Sequence, residues 1–600
     1  VKSLTSLLRE VLLDRGTWCS TSTDRDLKRV VARVEHEGLS YLTITLPRFG
    51  ADLQKGLDLG YVDSTLFHGY PRSGGLPVFL RGFLSQVFDS ATGRLLDEPN
   101  VDAVQAVRQI TLMFAKINLP CSNARERAAI TKFVECEQHV READARRTEH
   151  ESAQFERVGR LLWSTVLQRV DEDVYYGRCV PKHGPGATAD KLRGNAKWNQ
   201  YEWTERLESV FPHGEYLLPS WGCIPEAPRV NMLEPGAERP VKVITVPKTL
   251  KTPRIIAVEP TCMQYAQQAV LEVLVDELET HNTSVSRRLV GFASQIPNQE
   301  MAREGSLTGS LATLDLSEAS DRVSNQLVRL LCTRFPHVGE ALDASRSRKA
   351  DVPGYGVLRL AKFASMGSAL CFPLEAMVFT TVIFAGIEDA LRRQLTPADV
   401  SRLRSKVRVY GDDIIVPVDY VHSVVSKLEA FGLRVNTDKS FWTGRFRESC
   451  GKEYFRGHDV SITRVRSLLP ASQADTPALV STVSLRNQLY KAGYWKVCAF
   501  LDKELERLIP LPRVAETSAL LGRHSFLGYE TQRMCLKLHA PLVKGRVLVA
   551  VLPKSHLEGN GALLKWFLKR GESPFADKDH LERSGRPKSV STKLRWAQPF

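Results

Sequence analysis

The chain has 600 residues, more than one hydrophobic core usually serves, and 43% of them are hydrophobic, so several packed subdomains are expected and a wholly disordered chain is excluded. Its 82 Lys and Arg against 68 Asp and Glu leave a formal charge of +14, which favours a polyanionic partner such as nucleic acid, although a soluble basic protein without one fits the same balance. The 11 cysteines are scattered, odd in number and without a CxxC pair, which speaks against a zinc site or a disulfide framework and fits a reducing cytoplasm.

In chain order, the opening VKSLTSLLREVLLDRG carries charges through its apolar positions and does not read as a signal peptide. Helical periodicity follows in VDAVQAVRQITLMFAKI (101–117) and in the charged run 141–167, with Gly- and Pro-rich loops such as PKHGPGATAD (181–190). From 241 the texture changes to short β-type runs: VKVITVP, RIIAV, LATLDL (311–316) and VRVYGDDIIVPV (407–418). Helical stretches separate them, the pattern of an α+β core with its chemistry at strand ends. The most apolar stretch, AMVFTTVIFAGI (376–387), is too short to span a bilayer and reads as a buried helix, so no membrane partner is expected. Beyond about 465 the pattern is mostly helical and closes on the basic, turn-rich ERSGRPKSVSTKLRW, a tail expected to be partly disordered.

In VRVYGDDIIVPV, Gly411 supplies the backbone freedom a tight turn needs and places Asp412 and Asp413 at its tip. Adjacent aspartates are common turn residues. The weight comes from a second acidic strand end, in LATLDLSEASDRVSNQLVRLL. There a short apolar strand closes at Asp315, and Ser317 or Ser320 is placed to cap a helix carrying Val323, Leu327 and Leu330. Asp321 falls near that helix start, where the dipole alone favours a carboxylate. If the two strands are neighbours, Asp315, Asp412 and Asp413 converge, and like charges that close need a cation. Magnesium suits carboxylate and phosphate oxygens, and two such ions can clamp both the attacking and the leaving oxygens of a phosphoryl transfer. The complementary charge lies in VKVITVPKTLKTPRIIAV (241–258), where Lys242, Lys248, Lys251 and Arg254 surround a Thr-Pro turn in a form suited to a triphosphate, although exposed hairpins often carry lysines. A small-residue loop, 365–368, precedes a helix in FASMGSALCFPLEAMVF.

Asp315 with Asp321, the Ser-Met-Gly loop, Tyr-Gly-Asp-Asp and VNTDKSFWTGRFRESCGKEYFRG follow one another in the order and rough spacing of the palm of RNA-dependent RNA polymerases. The long last motif, TVPKTLKTPRIIAVEP and KHGPGATAD resemble in particular the replicase β subunit of single-stranded RNA bacteriophages, the levivirus-like polymerases. The resemblance covers about 40–570 and is densest over 241–460.

It implies a right-hand polymerase. Fingers and an N-terminal region take 1–310, with the triphosphate hairpin at 241–258. A palm with an antiparallel sheet takes 311–465, lending about 330–362 to the fingers, and a largely helical thumb with a basic tail takes 466–600. It further implies metal binding by Asp315, Asp412 and Asp413, with two Mg2+ ions that Mn2+ can replace. Lys248, Lys251 and Arg254 hold the triphosphate; Asp321, Ser365, Gly367 and Ser368 recognise the ribose. Lys439 becomes a proton donor to pyrophosphate; the plainer alternative is a solvated lysine beside Asp438. Ser368 departs from the asparagine that the best-known relatives carry after Met-Gly, and offers a shorter hydroxyl. The implied partners are template and product RNA, ribonucleoside triphosphates, the host elongation factors Tu and Ts and a ribosomal RNA-binding protein, in the cytoplasm of an infected bacterium. A reverse transcriptase shares the metal logic, but Gly411 and Asp321 lean against it; a metal-dependent nuclease and a non-catalytic RNA-binding protein are the other readings.

Overall fold

The computed structural model describes residues 1–184, 186–281, 283–550, 556–570 and 590–600. Its architecture is α+β. The sheet that carries the acidic strand ends has the order Arg408–Tyr410, Asp413–Pro417, Leu311–Ser317, Arg434–Val435, antiparallel throughout. Gly411 takes φ +59° at the first position of the two-residue turn, where tight hairpins favour glycine. The alternating apolar residues explain the burial: Val409, Ile414, Val416, Leu314 and Leu316 enter the largest hydrophobic core.

The helix Cys371–Leu391 forms the rod of that core. Residues 376–387 are only the middle of these 21 residues, so the expectation of a segment too short for a bilayer is corrected: by length and composition the helix is sufficient. It is nonetheless buried in protein, packed against the helices Glu149–Tyr175 and Val421–Ala430, with Trp163 Nε1 donating to Thr381 Oγ1 at 3.0 Å.

A second four-stranded sheet contains the basic hairpin, in the order Arg254–Val258, Val241–Val246, Lys349–Val352, Gly356–Arg359. Strands from 349–359, inside the segment expected to be lent to the fingers, thus pair with the hairpin, Val241 opposite Ala350. The charged run read as one helix over 141–167 divides between Asn123–Arg146 and Glu149–Tyr175. Arg147, in extended conformation, ends the first and Thr148 caps the second: its hydroxyl accepts from Glu151 N at 3.2 Å while Glu151 Oε2 accepts from Thr148 N at 2.9 Å. In the loop 181–190, His183 stacks on Tyr265 at 4.3 Å and Lys197 Nζ donates to Gly184 O at 2.7 Å; Pro185 lies outside the described residues.

Hydrophobic cores cut across the sequence boundaries at 310 and 465. Side chains from Leu4 to Ile117 share one core with Phe441, Phe446, Phe455 and residues up to Leu501. The expectation of a mostly helical region beyond 465 holds for Thr476–Lys491, Trp495–Glu506 and Gly559–Leu568, and is corrected between and after the last two by strands. In Ala540–Ala550, residues 543–550 pair with Val590–Ala597 and 540–542 with Arg533–Cys535, and Leu520–Leu521 joins the same strand. The β-branched residues of VKGRVLVA favour a strand, and Val543 packs on Val514 and Leu520. Of the basic tail expected to be partly disordered, 582–589 lies outside the described residues, and the rest belongs to that final strand.

The N-terminal core is tied to the segment after the acidic sheet by a buried ion pair, Arg108 Nη2 to Glu453 Oε1 at 2.7 Å, with Arg108 Nε donating to Val460 O at 3.1 Å. Arg108→Met leaves the Glu453 carboxylate to Arg464 alone in a dry site. We expect a loss of roughly 3 kcal/mol, read as a lower denaturant midpoint; an unchanged midpoint would show that the joint rests on apolar packing instead.

Candidate active site

The antiparallel register sets Asp413 directly opposite Asp315, and Tyr410 opposite Asp413, so the carboxylates at 315 and 413 stand side by side on one face of the sheet with Asp412 in the adjoining turn. Each of these two half-buried carboxylates has its own hydrogen bonds. Asp315 Oδ2 accepts from Asn436 Nδ2 at 2.8 Å, and Lys439 Nζ reaches both its oxygens at 3.3 and 3.4 Å. Asp413 Oδ1 accepts from Cys450 N at 3.0 Å and from Ser449 Oγ at 3.4 Å. Burial raises the pKa of Asp315; Lys439 opposes this, Asp412 adds to it, and Asn436 opposes it further. Burial also pushes Asp413 up to about 6, against the Cys450 amide and with the repulsion of Asp412 and Asp315.

Lys439 therefore pairs with Asp315 and not with Asp438, while its side chain, 59% exposed, is solvated as in the plainer reading. Burial works against its charge, yet Asp315, Glu448 and Asp412 hold its pKa above the ordinary lysine value. The basic hairpin closes over the same cleft: desolvation, Arg254 and Lys439 lower the pKa of Lys248, while Asp412 and Asp315 pull it upward. Lys251 and Arg254 are exposed on the hairpin, whose tip is held by Arg125 Nη1 donating to Leu250 O at 2.6 Å.

The loop 365–368 lies against the hairpin strand, with Ala257 N donating to Met366 O at 2.9 Å. Gly367, at φ +137°, has no room for a side chain: a Cβ there would stand 1.9 Å from Ala257 O. Ser368 Oγ donates to Gln267 Oε1 at 3.1 Å, whereas Ser365 Oγ is buried with no hydrogen-bond partner among the described residues. Asp321 sits in a single 3-10 turn, Ala319–Arg322, rather than at a helix start. The helix begins at Asn325 and its cap is Ser324, whose hydroxyl accepts from Gln326 N; Val323 precedes it. Ser320, expected as a cap, instead donates to Glu375 Oε2 at 2.7 Å. Burial pushes Glu375 up to about 8; Ser320 opposes this, and Asp412 and Asp321 add to it.

Sequence reasoning missed Asn436, Gln267 and Glu375, together with Lys362, whose Nζ pairs with Asp321 Oδ1 at 3.0 Å. Asn436 stood three residues before Lys439 and was legible as a second polar group of that motif; Lys362 and Glu375 flank the 365–368 loop, but they and Gln267 are marked only by partners far away in sequence.

The donor set, carboxylates from two adjacent strand ends with repulsion to relieve, suits a hard divalent cation. Among the described residues no three His, Cys, Asp or Glu side chains are already arranged as a metal cage. The Asp413 shift has a stability consequence. Its folded pKa of about 6 exceeds the unfolded value of 3.8, so the folded state takes up a proton and the residue destabilises the fold increasingly as pH rises through that window. Asp413→Asn should therefore raise stability in metal-free buffer at pH 8 by on the order of 2 kcal/mol, with the gain vanishing near pH 4. Chemical denaturation at the two pH values checks this; equal stability at pH 8 would show that Asp413 is already fully relieved by Cys450 and Ser449.

Residues 235–490 match the family model described as RNA replicase, beta-chain. The RNA-directed RNA polymerase subunit beta of Enterobacteria phage SP is 30% identical over 378 residues, which cover 61% of this chain and 60% of the relative. That of Escherichia virus Qbeta is 36% identical over 279 residues, 44% and 43% of the two chains. The RNA-directed RNA polymerase beta chain of Escherichia phage MS2 is 35% identical over 222 residues, 36% of each. The chain thus spans about 60% or less of the length of these relatives. Among solved structures, the RNA-dependent RNA polymerase of a human picorbirnavirus, as an insertion-loop deletion mutant, superposes with a TM-score of 0.33 at 11% identity, over 45% of this chain and 59% of that one. The matched segment is the one that carries the acidic sheet, the small-residue loop and the basic hairpin, and over it the chain is similar to RNA replicase β-chains.

Proposed function

We propose that the chain carries out template-directed RNA synthesis: the 3′-hydroxyl of an RNA strand attacks the α-phosphate of a ribonucleoside triphosphate, and pyrophosphate leaves. The observation that carries the reading is the direct register of Asp315 with Asp413, with Lys439 beside Asp315 and Lys248 close enough to feel Asp412 and Asp315. A carboxylate cluster alone suits many metal sites; one roofed by cations suits a polyphosphate.

In this reading Asp315, Asp412 and Asp413 hold two magnesium ions, for which manganese can substitute. When bound, these supply positive charge to the triphosphate and to the departing pyrophosphate. Lys248, Lys251 and Arg254 hold the phosphates. Lys439, kept protonated by its acidic neighbours, donates a proton to the leaving group. Asp321, with the 365–368 loop, reads the ribose: Ser365 presents its unpartnered hydroxyl, and Gly367 lets the loop approach the hairpin strand. The acidic sheet is then the palm of a right hand, the sheet of the basic hairpin belongs to the fingers, and the helices and sheet after 466 form the thumb. The β-subunit names of the relatives support work beside other subunits in an infected bacterium. Elongation factors Tu and Ts, a ribosomal RNA-binding protein and a cytoplasmic location complete the proposal.

The test is extension of a labelled RNA with magnesium and four ribonucleotides, with and without the host factors. Asp315→Asn and Asp412→Asn are each expected to lower incorporation by roughly 10³-fold or more while RNA binding, measured by filter retention, persists. Cleavage of the RNA without nucleotides would instead make the protein a nuclease. Lys439→Leu should slow single-turnover bond formation by about 10²- to 10⁴-fold with nucleotide affinity changed far less; wild-type rates would return Lys439 to a charge-balancing role beside Asp315.

A further inference from the structure

A fully buried lysine stands behind the turn that carries Asp321. Lys362 has no exposed surface; its Nζ lies 3.0 Å from Asp321 Oδ1, 3.9 Å from Glu137 Oε2 and 3.5 Å from the centroid of the Phe133 ring. The Glu137 contact is beyond hydrogen-bond reach, and Glu137 Oε2 has no hydrogen-bond partner among the described residues. Asp321 therefore supplies the close counter-charge. The backbone around the lysine is fixed as well: Asn325 N donates to Ala361 O at 2.9 Å and Phe363 N to Val323 O at 2.8 Å, which pins 361–363 along the residues that follow the turn. The turn is gripped from the same side by the helix Asn123–Arg146, where Cys136 Sγ donates to Asp321 O at 3.4 Å and Lys132 pairs with Glu318 at 2.5 Å.

A carboxylate has lone pairs for several donors. With Oδ1 held from behind by Lys362, Asp321 keeps Oδ2 without a side-chain partner among the described residues, on a side chain that is 21% exposed. A pair this deeply buried adds little to stability that apolar residues of the same volume could not supply, so its placement asks for another reason. Lys362 also lies three residues before Ser365, on the strand-like segment that leads into the small-residue loop. One buried cation thus sets the position of both elements proposed to read the sugar.

Resting on the polymerase reading, we infer that Lys362 is a positioning residue for sugar selection: it fixes the Asp321 carboxylate so that one oxygen is presented to the 2′-hydroxyl of the incoming nucleotide, and the enzyme's preference for ribonucleotides depends on it. The energetic logic is that of a site built to pair a hydroxyl, which rejects the analogue lacking it only while its polar groups are held in place.

The experiment measures kcat/KM for a ribonucleoside triphosphate and for its 2′-deoxy counterpart on one RNA template. The proteins are the wild type, Lys362→Met, Lys362→Arg, Asp321→Ala and the double variant Lys362→Met with Asp321→Ala. Wild type that incorporates no ribonucleotide overturns the polymerase reading, a failure visible before any variant is compared. With wild type active, Lys362→Met is expected to lower the ribo/deoxy ratio by about tenfold or more, chiefly through kcat/KM of the ribonucleotide. The double variant should match Asp321→Ala, because two residues acting on one contact are not additive. A folded Lys362→Met protein that keeps the wild-type ratio, or a ratio that falls further in the double variant than in Asp321→Ala, overturns the inference. If Lys362→Met does not fold, as shown by its melting curve, Lys362→Arg decides: it keeps the charge but displaces it, so a lowered ratio supports the assignment and an unchanged ratio overturns it.

Discussion

Two like charges set side by side on neighbouring strands are the constraint around which this molecule is organised. Because Asp413 is paired with Asp315 by register, neither can turn away without moving a strand whose other side chains are locked in the main core. The surrounding chain supplies what relief it can. Asn436 and Lys439 attend Asp315, and the Cys450 amide attends Asp413, so the segment from 434 to 450 folds back along the sheet and serves both residues. Burial first, and the repulsion of Asp412 after it, still hold both carboxylates above their ordinary pKa. A fold selected for stability alone has no reason to keep such a pair; one that needs a dense, oriented negative charge does.

The rest of the structure holds that charge in register with its complement. The helix Cys371–Leu391 passes beneath the sheet as the core rod, and its Glu375 reaches Ser320 in the turn before Asp321. The loop at 365–368 hydrogen-bonds to the strand of the basic hairpin, so the groups proposed to read the sugar and those proposed to hold the phosphates share one support. The N-terminal helix Asn123–Arg146 braces both sides: Arg125 holds the hairpin tip and Cys136 holds the carbonyl of Asp321. Residues up to Ile117, far from this chemistry in sequence, complete the core of the segment that follows Lys439. The first third of the chain is therefore scaffold for a site whose acidic residues all lie after residue 310.

The sequence was legible where local pattern and final environment agree. Alternation and Gly411 marked the acidic hairpin, and the apolar run ending at Asp315 marked its neighbour, because a strand buried on the core side has to show that pattern. The cap was misplaced because Ser317, Ser320 and Ser324 all suit a helix start; only the pairing of Ser320 with Glu375 and the 3-10 turn at Ala319–Arg322 decide for Ser324. The break at Thr148 was written in the sequence as Thr-x-x-Glu, and the terminal sheet as a β-branched run, so both were readable signals overruled by the helical texture around them. Lys362, Glu137 and Glu375 could not have been found, since each is defined by a partner brought close only by folding.

The central claim is that the Asp315, Asp412 and Asp413 cluster exists to bind divalent cations. The direct measurement is the thermal stability of metal-free protein against increasing magnesium or manganese, for wild type and for a variant carrying Asp315→Asn and Asp412→Asn together. Binding to the folded state alone raises the melting temperature in a saturable way. The account predicts such a rise in wild type and its loss in the variant; an equal rise in both, or none in wild type, would contradict it.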